Sequence, residues 1–232
     1  MTTDIFIRTY HKDIRWLDMA LKSIHEKVKG YRNIIITIPK GEALLLKHLT
    51  AEKVVEVDDL KDGYIGQQLT KLEAWKYTDS DFVVFWDSDV IAAQEIDIQK
   101  DYFIDGKPII YKTLYTSIDC PWQPITEKAV GFEVEYEYMR RLPLVYSTKT
   151  LSSVCGHLIS VHDMPVQTYL ANLPNRQFSE FNVVGAIAEK YYSQFYHFVD
   201  TEKTHIEKSK ARQFWSWGGI TDEVLKEIES FK

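Results

Sequence analysis

The residues best suited to chemistry are Asp87 and Asp89, in the run Phe85-Trp86-Asp87-Ser88-Asp89. They leave the end of Phe82-Val83-Val84-Phe85-Trp86, an apolar stretch of strand type. Two carboxylates one residue apart at a strand end can aim at one cation. Hard oxygens suit Mg²⁺ or Mn²⁺, with the remaining positions taken by water and diphosphate. An ion held there would neutralise a departing nucleoside diphosphate. The competing reading is a solvated turn after a strand, where Asp is common.

Other polar residues fall where they can join such a site. Gln68 and Lys71 follow Gly63-Tyr64-Ile65-Gly66, are one helical turn apart and share a face. They either reach a bound donor or form a solvated face. Lys203, Lys208, Lys210 and Arg212 make a late basic stretch. It reads either as a lid over a diphosphate or as a charged loop. Trp215 and Trp217, in Phe214-Trp215-Ser216-Trp217-Gly218-Gly219, can stack on a sugar ring or pack inside. Ser179-Glu180 reads as an N-cap followed by a first-turn acid.

The elements that must position these groups alternate strand and helix. Ile5-Phe6-Ile7, Ile34 to Ile38, Val54 to Val57 and Phe82 to Trp86 read as four strands. Ile14, Leu17, Leu21, Ile24 and Val28 recur at helical spacing, and Gly30 follows them. A short Leu-rich helix is expected over Glu42 to Leu49, and another around Ile65, Leu69 and Leu72. Continuous apolar strands between helices imply a mostly parallel sheet covered on both faces. The order 3-2-1-4 would put the first and fourth strands side by side at the switch point, where ligands bind. Thr9-Tyr10 and Asp87-Ser88-Asp89 would then share a crevice. In the second half, strands are expected at Ile109 to Tyr111, Leu158 to Val161 and Phe195 to Val199. Helices are expected over Glu127 to Arg140, over Glu180 to Tyr192 and from Thr221 onward.

Composition narrows the function class. The chain has 232 residues, 45% hydrophobic and 27% charged, as in a soluble globular domain. No apolar run nears the ~20 residues that span a membrane, and the start lacks a signal-peptide pattern. A cytoplasmic location is therefore expected. Cys120 and Cys155 lack metal-site spacing and read as free thiols. The net charge of -6 argues against tight nucleic-acid binding. The first turn after a strand lacks GxGxxG, and no Walker A motif is present, which excludes two common phosphate cradles.

With Asp87 and Asp89 placed after a fourth βα-type strand, the chain resembles the GT-A glycosyltransferases of the nucleotide-diphospho-sugar transferase superfamily. The resemblance implies a Rossmann-like α/β domain spanning 1–232. A nucleotide-sugar-binding half would cover 1–100, and an acceptor-binding half with a C-terminal lid would cover 101–232. It implies that Asp87 and Asp89 bind Mn²⁺ or Mg²⁺ and the donor. The family's Thr-containing loop corresponds to Arg8-Thr9-Tyr10-His11-Lys12-Asp13. Thr9 would bond the nucleotide, Tyr10 would stack on its base, and Asp13 would accept from a base N–H or simply cap the helix. Lys208 and Lys210 would close on the diphosphate, and His205 would be a late metal ligand. His157 would line the sugar pocket on an acceptor-side strand, beside Trp215 and Trp217. Glu180 would be the catalytic base or contact the acceptor, unless it serves only the helix dipole.

The implied reaction moves a sugar from a nucleotide-diphosphate donor to a hydroxyl acceptor. That acceptor is a saccharide, a small molecule or, as in some phage enzymes, a hydroxymethylated DNA base. Two other readings remain. One is a haloacid-dehalogenase-like phosphatase with Asp87 as nucleophile, although its motif normally follows the first strand. The other is a non-catalytic nucleotide-sugar-binding module. Stereochemistry and oligomeric state stay open.

Overall fold

The computed structural model describes residues 1–140, 142–206 and 208–231. The first half follows the expected alternation. It contains β1 (Thr3–Arg8), α1 (Ile14–Lys27), β2 (Ile34–Pro39), β3 (Lys53–Val57), α2 (Gly63–Leu72) and β4 (Phe82–Phe85). The Leu-rich stretch shrinks to a 3-10 turn, Ala43–Leu46, because Leu44 and Leu45 find no core and face solvent. After β4 come β5 (Val90–Ala92), β6 (Lys107–Leu114), α3 (Trp122–Val130), β7 (Tyr136–Glu137) and β8 (Leu144–Ser147). The remainder is α4 (Thr148–His162), α5 (Val166–Ala171), α6 (Glu180–Tyr192), β9 (His197–Asp200), β10 (Ala211–Gln213) and α7 (Asp222–Glu229).

The central sheet runs β3-β2-β1-β4-β8. The first four strands are parallel, so β1 and β4 are neighbours, with Phe6 level with Phe85. β8 is added antiparallel on the far side of β4. β1, β2 and β4 are buried on both faces because both faces are covered, whereas the edge strand β3 leaves Lys53 and Glu56 exposed. Phe6, Ile35, Val83 and Phe85 point to one side, into a core shared with α2, α4 and α6. Ile5, Ile7, Ile36 and Val84 point to the other, against Leu17, Leu21 and Ile24 of α1. Burying each such side chain contributes roughly 1.5–3 kcal/mol. A smaller sheet sets β6 between β7 and β9, and β10 pairs antiparallel with β5.

The second half departs from the sequence reading in three places. The expected strand Leu158 to Val161 lies inside α4. Leu151, Val154, Cys155 and Leu158 are buried at helical spacing, while Ile159 and Val161 face outward. The expected helix to Arg140 stops at Val130, because Gly131 takes a left-handed φ of 76° and caps it. β8 was not expected at all. Among the described residues no helix is long and apolar enough to cross a membrane.

Candidate functional site

The site forms where β1 and β4 end. Beyond Phe85 the backbone continues the ladder for one step, with Trp86 N–H donating to Phe6 O at 3.0 Å. It then turns through Asp87 to Val90, closed by Val90 N–H to Asp87 O at 3.0 Å. The Trp86 ring is buried, and its indole N–H donates to Val90 O at 2.7 Å, which fixes the turn. Both acids project from this turn beside the end of β1.

Asp13 joins them from the start of α1. It stands at the N-cap position but makes no side-chain capping bond. Its Oδ2 instead accepts from Ser88 Oγ at 3.4 Å and Ser216 Oγ at 3.3 Å. Of the two roles open to Asp13 in the sequence, capping is therefore not the one it plays. Burial raises the Asp13 carboxyl above its ordinary value, and the neighbouring Asp87 adds to this.

Asp89 is largely buried. Ser216 N–H donates to its Oδ2 at 2.8 Å and Gln213 Nε2 lies 3.5 Å from its Oδ1. Phe214 N–H donates to its carbonyl at 3.0 Å. Burial first, and then the charge of Asp87, push its carboxyl up to about 6. The stretch 213–216 is thus folded onto the acids. Phe214 anchors it by stacking on Trp16 of α1 at 5.8 Å.

Glu180, at the first position of α6, is also buried here, not solvated at a helix end. Lys71, in the last turn of α2, lies 3.1 Å from Glu180 Oε1 and 2.7 Å from Asp87 Oδ1. Its ammonium sits 4.9 Å from the centre of the Phe181 ring. Burial alone would depress the lysine, but Asp87 and Glu180 more than offset it and hold the ammonium above its ordinary value. Ser179 precedes α6 without a side-chain capping bond, and its hydroxyl accepts from Asn182 Nδ2 at 2.9 Å.

The expected nucleotide loop is only partly open. Tyr10 is 38% exposed, with its ring at a steep angle to that of His11. Thr9 is buried, and its hydroxyl has no partner among the described residues. Its N–H continues the sheet to Thr37 O at 2.9 Å. Arg8 is buried as well, paired with Asp59 at 2.9 Å and donating to Thr9 O. Gly66 makes room for that pair, since a Cβ there would lie 1.8 Å from Asp59 Oδ1.

Five of the expected site residues belong elsewhere. Gln68 is fully buried and its Oε1 accepts from Glu180 N–H at 3.1 Å, so it braces α6 and does not face the crevice. His157 sits on α4, bonded to Val130 O at 2.8 Å and packed on Tyr191. Tyr191 is eleven residues along α6 from Glu180, roughly 16 Å at helical rise. His205, Lys208 and Lys210 line a separate cavity of about 320 Å³ with Asp101 and Tyr102. The antiparallel pairing of β10 with β5 carries the preceding chain away from Asp89, and Lys210 is taken by Asp101 at 2.7 Å. The basic stretch is not the segment over the acids; 213–216 is. Trp215 and Trp217 flank Ser216 and are 57% and 86% exposed, free to meet a ligand. Ser216, which holds two of the acids, lies 127 residues from Asp89 and carried no spacing signal.

Among the described residues no group of three or more His, Cys, Asp or Glu side chains is arranged to hold a metal ion. The Asp87, Asp89 and His205 trio is therefore not assembled. What remains is a two-carboxylate donor set in a crevice where burial first, and then the charge of Asp87, raise Asp13 and Asp89. That set fits a hard divalent cation whose other positions go to water and ligand oxygens. It does not fit one enclosed by protein alone. A scan against protein-family profiles found no match for this chain, and comparison with curated proteins found none either.

Proposed function

We propose that the protein is a metal-dependent glycosyltransferase of GT-A type that uses a nucleotide-diphosphate sugar. One observation carries this reading. Asp13, Asp87, Asp89 and Glu180, from three separate segments, converge at the carboxyl ends of β1 and β4. In an open parallel sheet that is the ligand crevice.

In this reading Asp87 and Asp89 hold Mn²⁺ or Mg²⁺, and the exposed Tyr10 stacks on the base. A bound divalent ion supplies charge neutralisation for a departing nucleoside diphosphate. The acceptor oxygen attacks the anomeric carbon while the bond to the diphosphate oxygen breaks. Glu180 takes the hydroxyl proton on the oxygen not facing Lys71. Trp215 and Trp217 flank Ser216 with exposed rings, on which an acceptor sugar or base would stack.

The test is a thermal-shift screen of UDP- and GDP-sugars with and without Mn²⁺, followed by turnover assays. The expected result is a shift that needs the metal and disappears in Asp87→Asn and Asp89→Asn. No shift with any nucleotide sugar rejects the reading. Hydrolysis of a phosphate ester that Asp87→Asn abolishes would replace it with a phosphatase.

A further inference from the structure

We propose that Lys71 is a positioning residue that locks Asp87 and Glu180 into one unit, and so ties the donor side of the crevice to the acceptor side. The proposal rests on the transfer reading above and assigns Lys71 a role other than binding the donor.

The geometry carries it. Lys71 stands in the last turn of α2 with its side chain 7% exposed. Its ammonium is 2.7 Å from Asp87 Oδ1 and 3.1 Å from Glu180 Oε1. Each contact takes one oxygen of a carboxylate and thereby fixes the rotation of the other. Asp87 is left with Oδ2 and Glu180 with Oε2 for whatever enters the crevice. One helical turn earlier, Gln68 accepts from the Glu180 N–H at 3.1 Å. The same face of α2 therefore fixes both the backbone and the side chain of Glu180. Phe181 closes the ammonium on a further side, at 4.9 Å from its ring centre.

This arrangement differs from a phosphate-binding lysine. A lysine that binds diphosphate must turn its N–H donors to the ligand. Lys71 is enclosed, and two carboxylates already satisfy it. Releasing it to a phosphate would strand Glu180 in a buried place and leave Asp87 unpaired in a half-buried one. Its service to the reaction is alignment, and misplacing a reacting group by about 1 Å costs on the order of 100-fold in rate.

The test is steady-state kinetics on Lys71→Met, Lys71→Arg, Glu180→Gln and the Lys71→Met/Glu180→Gln double variant, each with a melting curve. Lys71→Met is expected to lower kcat about 100-fold while donor KM stays within about threefold. Lys71→Arg should recover part of kcat, because a guanidinium fork can also engage two carboxylates. In the Glu180→Gln background, Lys71→Met should cost clearly less than its roughly 100-fold in the wild type, since the alignment of Glu180 is already without effect and only that of Asp87 is left to lose. A large rise in donor KM at unchanged kcat, or kcat losses that multiply in the double variant, overturns the proposal. If the folded wild type turns over no nucleotide sugar, the transfer reading fails instead. The melting data then decide the bridge separately: independent, additive shifts for Lys71→Met and Glu180→Gln would reject it.

Discussion

Replacing Asp89 by Asn should make the protein more stable and less active. Asp89 is mostly buried and shares its surroundings with Asp87 and Asp13, so its carboxyl sits at about 6 in place of 3.8. The folded state therefore binds this proton more tightly than the unfolded chain does. The stability it contributes is complete below about pH 4 and is lost as pH rises through about 6. At neutral pH and above, the ionised side chain costs on the order of 3 kcal/mol relative to the protonated one. Between pH 5 and pH 8 the loss from this residue is on the order of 1 kcal/mol. Asp13, raised for the same reason, adds to the fall. An Asn keeps an oxygen for the Ser216 N–H and presents an amide to Gln213, which can turn to accept it. Urea unfolding of the wild type and Asp89→Asn at several pH values from 5 to 8 is the assay. The variant should be more stable by roughly 3 kcal/mol at pH 8, with a midpoint of melting several degrees higher, and should show a flatter pH profile. Mn²⁺ should stabilise the wild type more than the variant. A variant no more stable than the wild type at pH 8, or one with an unchanged pH profile, would refute the idea that crowded acids strain this crevice.

Two further outcomes are expected. Gly185→Ala would place a Cβ 2.3 Å from the Tyr138 ring in the core, so urea unfolding should show a loss of about 1–3 kcal/mol or a failure to fold. Trp217→Ala removes a ring that is 86% exposed, so unfolding free energy should change by less than about 0.5 kcal/mol, while acceptor KM rises several-fold in the transfer assay.

The first half was legible because three of its four strands, β1, β2 and β4, are buried on both faces. A residue run such as Ile34 to Ile38 has no alternative use in a globular chain, and each lies between helical periods or turn signals. Their parallel order followed from crossover rules. Asp87 and Asp89 were legible by the same logic, being the polar tip of a fully apolar strand. Asp13 was half legible: its position marked it as a cap or a ligand-facing acid, and only the distances to Ser88 and Ser216 separate the two. In the second half, local apolar runs misled. Leu158 to Val161 resembles a strand when read alone, although Leu151, Val154, Cys155 and Leu158 hold the helical period. β8 is four residues long and follows a proline, too short to show alternation. Ser216 and the true partners of Lys71 were illegible, because contacts between residues so far apart in sequence leave no periodic trace.

The way β8 completes the sheet bears on how such a chain can be rearranged. The strand beside β4 comes from after residue 140, so the first hundred residues lack one of their own sheet's edges. A fragment ending near residue 100 would present the Phe82–Phe85 ladder unpaired, a ready template for sticking to other chains. During synthesis that edge stays open until Leu144–Ser147 has left the ribosome. Recombination that grafts a foreign acceptor module after residue 100 must therefore bring its own edge strand, in antiparallel register, along with its specificity.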